Sequence, residues 1–301
     1  MRNNPPHVWL FTDGKPGHQN QLRGLADRLT AHIGAECHWL KVGRPGPSLW
    51  QLWRGNNPAP HLPEPDLMIA AGSTTQAHLL AAKRALTCPA VVLMRPNFPY
   101  QWLDGAIVPA HDKPPARPDI LTTQGVLNAV VPVQQVPQTH AGLILLGGPS
   151  PHYRWDSETV VAQVQQISRA QPGWHWTVAD SRRTPEDVFQ ALAALNDSSL
   201  TLVSHHTTPP DWLPARLVTS SRIWVSPDSV SMVYEALTSG VPTGILRLAP
   251  ASTGRVVAGI DALVNAGQLQ QFGEPAAERP HMPLWEAERA ALWLIDRFSL
   301  R

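Results

Sequence analysis

The sequence predicts an α/β protein made of two Rossmann-like parallel-sheet domains that face one another across a cleft, and three observations predict it. Short apolar runs alternate with helix-like stretches along the chain, the pattern of buried strands joined by crossover helices. The length, 301 residues, suits two domains of about 150 residues better than a single core. Residues 132–140, PVQQVPQTH, are polar and proline-bearing; they interrupt the alternation, which then restarts.

In the first half, HVWLFT (7–12), CHWLKV (37–42), DLMIAAG (66–72), PAVVLM (89–94) and GAIVP (105–109) read as strands. Helices are expected at 20–33 and over TTQAHLLAAKRAL. After the linker, strands are expected at 142–148, 174–180, 200–204, 222–226 and 243–248, with helices at 157–170 and 185–195 and one opening near 227. PLWEAERAALWLIDRF reads as a final amphipathic helix. The expected domains are therefore 1–138 and 139–282, with 283–301 as a helix packing back toward the first.

Composition narrows the function. Hydrophobic residues at 43% and charged residues at 16% describe a chain with real cores. Lys and Arg number 24 against 23 Asp and Glu, so no basic field supports nucleic-acid binding. The two cysteines, Cys37 and Cys88, lack CxxC spacing, which points away from a disulfide framework or a zinc site and toward a reducing cytosol. No apolar run reaches the length of a membrane span, and none near the start reaches that of a signal peptide. A cytoplasmic protein is expected, with peripheral contact at the inner membrane as the open question.

The stretch WVSPDSVSMVYEALTSGVPTGIL (224–246) carries the strongest local signal. Ser226, with Pro227 at the first position, or Asp228 itself, is placed to cap a helix that Gly240 and Pro242 end. Val230, Val233 and Leu237 form an apolar stripe, while Asp228, Ser231 and Glu235 form a polar one. Free N–H groups and Ser229 at the helix start suit a diphosphate, and Glu235, one to two turns on, suits ribose hydroxyls. Met232 lies between them. The alternative is an ordinary capped helix with a solvated Glu235.

SPDSVSMVYEALTSGVP resembles the T-x-D-S-x-S-M-x-S-E-A…G-K-P segment of the plant mitochondrial fission (elongated mitochondria) family and its bacterial relatives. FTDGKPGHQNQ (11–21), LLGGPSPHYRWD (145–156), DSRRTPEDV (180–188), VPAHD (108–112) and GVLNAV (125–130) are similar to that family's segments in the same order. The sequence departs from the pattern at Ser226, Tyr234 and Val241, and HHTTPPDW (205–212) replaces a segment that usually holds Asn-Pro-Tyr or Asn-Pro-His. The resemblance implies a GT-B fold, a nucleotide-diphosphate-sugar donor such as a UDP-sugar in the second domain, and an acceptor, a glycan or lipid-linked sugar of the cell envelope, on the first. For the plant relatives it implies a role in recruiting fission machinery, which leaves a non-catalytic adaptor as one alternative and a GT-B epimerase as another.

In TDGKPGHQ, the order Gly14, Gly17, His18 is similar to the first-strand loop of GT-B enzymes resembling the peptidoglycan lipid II-forming transferase. His18 would take the proton of an acceptor hydroxyl, and Asp13 would do so or orient the imidazole; the alternative is a tight turn with an exposed His18. In GGPSPHYR, Gly147 and Gly148 permit close backbone approach, and Ser150 and His152 can donate. In SRRTP, Ser181, Arg182 and Arg183 can hold diphosphate oxygens or form a surface charge pair. His205 and His206 read as loop histidines, and with no HExxH and no Asp-x-Asp, neither a metal nor any cofactor beyond the donor substrate is expected. Ser73 or Thr74 reads as a helix cap. PSLWQLWRGNNP (47–58), with Trp50 and Trp53, reads as core, an interfacial membrane contact being the alternative.

Overall fold

The structure, a computed structural model, describes residues 4–209, 211–275 and 283–300. The chain divides into two compact units, Met1–Ala129 with Trp285–Arg301, and Val130–Leu284. Pro210 of HHTTPPDW and residue 282, where a domain boundary is expected, lie outside the described residues.

The first unit holds β1 (His7–Thr12), α1 (Pro16–Ile33), β2 (Glu36–Lys41), α2 (Leu49–Arg54), β3 (Leu67–Ala71), α3 (Gln76–Ala85), β4 (Ala90–Leu93), β5 (Gly105–Pro109) and β6 (Ile120–Thr123). Its sheet runs β2-β1-β3-β4-β5-β6, with every pairing parallel. Strand alternation sorts side chains to two faces. Val8, Leu10, Ile69 and Val91 join Leu22 and Leu25 of α1 on one, and Trp9, Phe11, Met68 and Val92 join Leu79 of α3 on the other.

The second unit holds β7 (Ala141–Leu145), β8 (Tyr153–Arg154), α4 (Ser157–Ala170), β9 (His175–Ala179), α5 (Glu186–Ala194), β10 (Leu200–Val203), α6 (Trp212–Thr219), β11 (Arg222–Val225), α7 (Val230–Ser239), β12 (Thr243–Ile245), β13 (Ala249–Pro250), α8 (Arg255–Asn265) and β14 (Gln270–Gln271). Its parallel sheet runs β10-β9-β7-β11-β12-β14. Two tryptophans lie against glycines of the next strand: Trp176 is in register with Gly142 and Trp224 with Gly244. A Cβ on either glycine would sit 2.2 Å or 2.4 Å from indole carbons. The flat rings fit because those positions have no side chain.

The last helix, α9 (Glu286–Arg297), returns to the first unit. Ala290, Ala291, Leu294 and Ile295 complete the core face that α1 covers. Arg28 Nε donates to Glu288 Oε2 at 2.6 Å, and His32 Nε2 meets Glu288 Oε1 at 2.8 Å. Burial works to raise the Glu288 pKa, but the bonds and charges of Arg28 and His32 outweigh it and hold the carboxyl below its ordinary range.

Three sequence expectations change. Helix α1 starts at Pro16 rather than 20, because proline fits the first position, where no N–H is needed. Helix α3 is preceded by Thr75, not capped by Ser73 or Thr74; Thr75 Oγ1 donates to the carbonyls of Ala71 and Gly72 instead. Residues 49–54 are not core. Helix α2 buries none of its side chains, although Ser48 and Gln51 cap it reciprocally, and Leu49, Trp50 and Trp53 are 86%, 60% and 71% exposed.

Candidate functional site

Each sheet has one place where successive crossovers leave in opposite directions, so that the loops after two neighbouring strands diverge and open a crevice. In the first unit it lies between β1 and β3, and in the second between β7 and β11. Most of the predicted site residues sit on these loops and on the loop after β9, the other neighbour of β7.

In the first unit, Asp13 follows β1 and His18 lies in the first turn of α1. His18 Nδ1 is 2.9 Å from Asp13 Oδ1, which also accepts from the Lys15 N–H at 3.1 Å. Thr74 Oγ1, from the loop after β3, donates to Asp13 Oδ2 at 3.4 Å. The dyad leans on Gly72, which has φ +97°; a Cβ there would meet His18 Nδ1 at 2.5 Å and Asp13 Oδ2 at 3.0 Å. Burial favours raising the Asp13 pKa, but the bonds from His18 and Lys15 and their charges prevail and hold it below the ordinary carboxylate range. Asp13 is therefore ionised at neutral pH and only accepts, so the proton of a neutral His18 sits on Nδ1 and leaves Nε2 basic. The imidazole is 26% exposed. Sequence reading left base and orienting group open between these two residues; in this geometry Asp13 engages Nδ1 of His18 and the other ring nitrogen, Nε2, is the basic one.

In the second unit, three strand-end loops are tied together around Asp228, whose side chain is fully buried. Its Oδ2 accepts from the Gly148 N–H at 2.8 Å and pairs with Arg183 Nη2 at 2.8 Å. Arg183 Nη1 also donates to the carbonyls of Gly148 and Pro149, both at 3.1 Å. Ser226 Oγ accepts from the Gly147 N–H at 2.7 Å. Thr184 Oγ1 and Ser181 Oγ donate to the Gly147 carbonyl at 2.5 Å and 3.0 Å.

This knot corrects several expectations. Neither Ser226 nor Asp228 caps α7, because each is engaged by a backbone N–H of the loop after β7. The residue before the helix is Ser229, whose hydroxyl makes no cap bond. The N–H groups of Gly147 and Gly148 are satisfied internally. These glycines admit neighbouring protein rather than ligand, since a Cβ would lie 2.1 Å from Asp228 or 1.9 Å from the Arg183 carbonyl. Ser150 accepts from the N–H groups of His152 and Tyr153 and holds a turn. Arg183 braces the loops, while Arg182 beside it is exposed. Ser231 is exposed, Met232, Glu235 and His152 are half-buried, and Ser229 is 9% exposed.

A cavity of about 890 Å³ adjoins this knot. Its lining includes Pro227 from the loop after β11, Arg247 and Leu248 after β12, Tyr153 after β7, and Asp261 and Asn265 of α8. Ser229, Arg182 and Glu235 do not line it. Two buried polar atoms at this end of the sheet make no hydrogen bond, Tyr153 Oη and Asp228 Oδ1. Burial, with the charges of Asp261 and Asp228, pushes the Tyr153 hydroxyl pKa well up, so it is a donor at any ordinary pH. Sequence reading missed Tyr153, Arg247 and Asp261 because the loops that bring them together are unrelated in sequence. It also passed over a second Asp–His pair, in which His205 Nδ1 lies 3.0 Å from Asp180 Oδ1.

The family model for Mitochondrial fission ELM1 matches residues 16–298. The chain belongs to that family. No curated protein matches the sequence. Among solved structures, this ELM1-family chain is similar to Acinetobacter baumannii MurG, with a TM-score of 0.50, 15% identity, and coverage of 98% of this chain and 92% of that one. The S. aureus MnaA-UDP co-structure is matched at a TM-score of 0.51 and 15% identity, over 98% and 89% of the two chains. The UDP-GlcNAc 2-epimerase of Methanocaldococcus jannaschii is matched at 0.54 and 11%, over 96% and 99%. At such identities the likeness establishes the fold: two Rossmann-like sheets of the GT-B type.

Proposed function

We propose that this ELM1-family protein is a metal-independent glycosyltransferase that takes a nucleotide-diphosphate sugar on its second unit and an acceptor hydroxyl on its first. The observation that carries the reading is the Asp13–His18 dyad at the switch point of the first sheet, a preset base with its free nitrogen on Nε2. His18 would take the acceptor O–H proton as that oxygen bonds to the anomeric carbon, and the bond from that carbon to the diphosphate breaks with its electron pair leaving on the nucleotide. Arg182, Ser229 and the N-terminal N–H groups of α7 would receive that charge, with Ser231 beside them and Glu235 on the ribose. The base would enter the cavity flanked by Tyr153, Arg247 and Asn265. The UDP held by the MnaA structure supports a UDP-sugar as the first donor to try.

A panel of UDP-, GDP- and ADP-sugars tests this by calorimetry. One member is expected to bind, and Arg182→Ala and Glu235→Ala should each weaken it about tenfold, the worth of one charge-assisted bond. Binding by no member, or binding by both variants as tight as by the native chain, would overturn the reading. The epimerase-like fold of the M. jannaschii match supports a second reading, epimerisation of the sugar nucleotide alone. Turnover without any acceptor would select it.

We also propose peripheral membrane contact through the exposed tryptophans, consistent with a lipid-linked acceptor. Trp53, Leu49 and Trp102 flank a largely apolar cavity of about 730 Å³ with Phe98 and Leu80. Lys83 and Arg84 also line it, Arg84 donating to the Trp53 carbonyl, and on the same helix as Trp53 the Arg54 guanidinium lies over the Trp50 ring at 5.0 Å. Amphipathic aromatics beside arginine suit an anionic bilayer interface. Cosedimentation with phosphatidylglycerol vesicles is expected for the native chain and should fall at least tenfold in Trp50→Ala/Trp53→Ala with unchanged stability. Absence of cosedimentation, or its persistence in the double variant, would remove the proposal. Among the described residues no helix is long and apolar enough to cross a membrane.

A further inference from the structure

We propose that His7, Glu36 and His38 form a binding site for one late first-row divalent cation of the zinc class. The three residues come from the paired strands β1 and β2, where His7 is in register with Glu36 and Trp9 with His38. Residues two apart on a strand share a face, so Glu36 and His38 project together, on the side where Trp9, Phe11 and Leu40 form the core. His7 shares that face with Trp9.

The ligand atoms are already gathered. His7 Nδ1 lies 3.2 Å from His38 Nε2 and 3.4 Å from Glu36 Oε2, and all three donor atoms fall within 4.8 Å of one another. With metal–ligand bonds of about 2.0–2.2 Å, two ligands of a tetrahedral zinc stand roughly 3.3 Å apart. Both close separations match that spacing. Glu36 is 55% exposed, so its carboxylate can swing the remaining distance. The fourth position would fall to solvent.

Donor chemistry selects the cation. Two neutral imidazoles and one carboxylate suit zinc, nickel or copper and are poor ligands for magnesium or calcium, which prefer oxygen throughout. The carboxylate neutralises half of the ionic charge, and Asp66, whose Oδ2 accepts from the His7 backbone N–H at 2.9 Å, places a second negative charge beside the first strand.

The site is separate from the dyad at the other end of the sheet. His7 opens β1 and Thr12 closes it, about 16 Å further along an extended strand. A bound ion there would cross-link the edge strand β2 to β1, which makes it a structural clamp whether or not the chain transfers sugar. Sequence spacing alone hides it, since only parallel pairing brings residue 7 beside residues 36 and 38.

Zinc binding by the full chain, purified without a histidine tag, tests the assignment. Equilibrium dialysis should give one zinc per chain, lost in His38→Ala and weakened at least tenfold in Glu36→Gln, an exposed change that leaves the fold intact. His205→Ala serves as the control and should bind as the native chain does. The cobalt-loaded protein should show visible absorption of a tetrahedral nitrogen–oxygen site that His38→Ala abolishes, and magnesium should not compete. Failure of the native chain to bind zinc, binding by Glu36→Gln or His38→Ala as tight as by the native chain, or loss in His205→Ala would each overturn the proposal.

Discussion

Replacing His18 with Ala is expected to lower turnover about 10²–10⁴-fold, the usual contribution of a positioned general base, while nucleotide-sugar affinity stays within twofold. The separation follows from placement, since His18 belongs to the first unit and the proposed donor site lies on loops of the second. Asp13→Asn should act through the ring. An amide can donate to Nδ1, which favours the tautomer with its proton on Nε2 and removes the basic nitrogen, so kcat should fall with little change in KM. His18→Ala retaining native turnover would exclude the dyad as the proton acceptor.

The same pair carries a pH signature. The Asp13 carboxyl is held lower in the folded chain than in the unfolded one, so its ionised form stabilises the fold above the unfolded-state value, and that contribution is lost as pH falls through the folded-state value. The stability gap between the native chain and Asp13→Asn should therefore be full at neutral pH and close only in acid.

Asp228→Ala is expected to cost the second unit about 3 kcal/mol, the lower end of the range for breaking a buried pair, because the Arg183 partner is itself 42% exposed. The carboxylate is fully buried, and its loss leaves the Gly148 N–H without its acceptor and the guanidinium without its anion. Asp228→Asn should cost less, because an amide oxygen of the same shape still receives the Gly148 N–H. Combined with Arg183→Ala in a double-mutant cycle, Asp228→Ala should show a coupling of about 1–3 kcal/mol. Urea unfolding followed by tryptophan fluorescence reads these differences. An Asp228→Ala chain as stable as the native one would mean that the three loops are held by something else.

Much of the fold is legible in the sequence because parallel α/β structure writes itself locally. Runs such as DLMIAAG and PAVVLM are buried on both faces and appear as unbroken apolar stretches, and crossover helices separate them. Elements without that contrast escape. Helix α8 carries Gly259 and strand β6 is half threonine, so neither announces itself. The surface helix α2 is misread for the opposite reason: two tryptophans and two leucines look like core in a string of letters, and only exposure separates a buried apolar segment from one left uncovered.

The candidate site divides the same way. The Asp13–His18 pair is short-range, five residues apart, and the loop after β1 shows it directly. The roles of Asp228 and Ser226 depend on partners 80 and 79 residues away. A cap signal is local, but a side-chain oxygen satisfies whichever donor the tertiary structure brings to it. The same blindness hid Tyr153, Arg247 and Asp261, which meet only after β7, β12 and α8 have packed.

The route of the polypeptide also sets an order of completion during synthesis. Every residue of Val130–Leu284 is added before α9 is made, so the earlier unit waits through the synthesis of the later one for its final helix. Until Ala290, Leu294 and Ile295 arrive, Leu10, Leu25 and Ile69 keep part of their apolar cover missing, and a nascent chain with that surface open is a natural client for a chaperone.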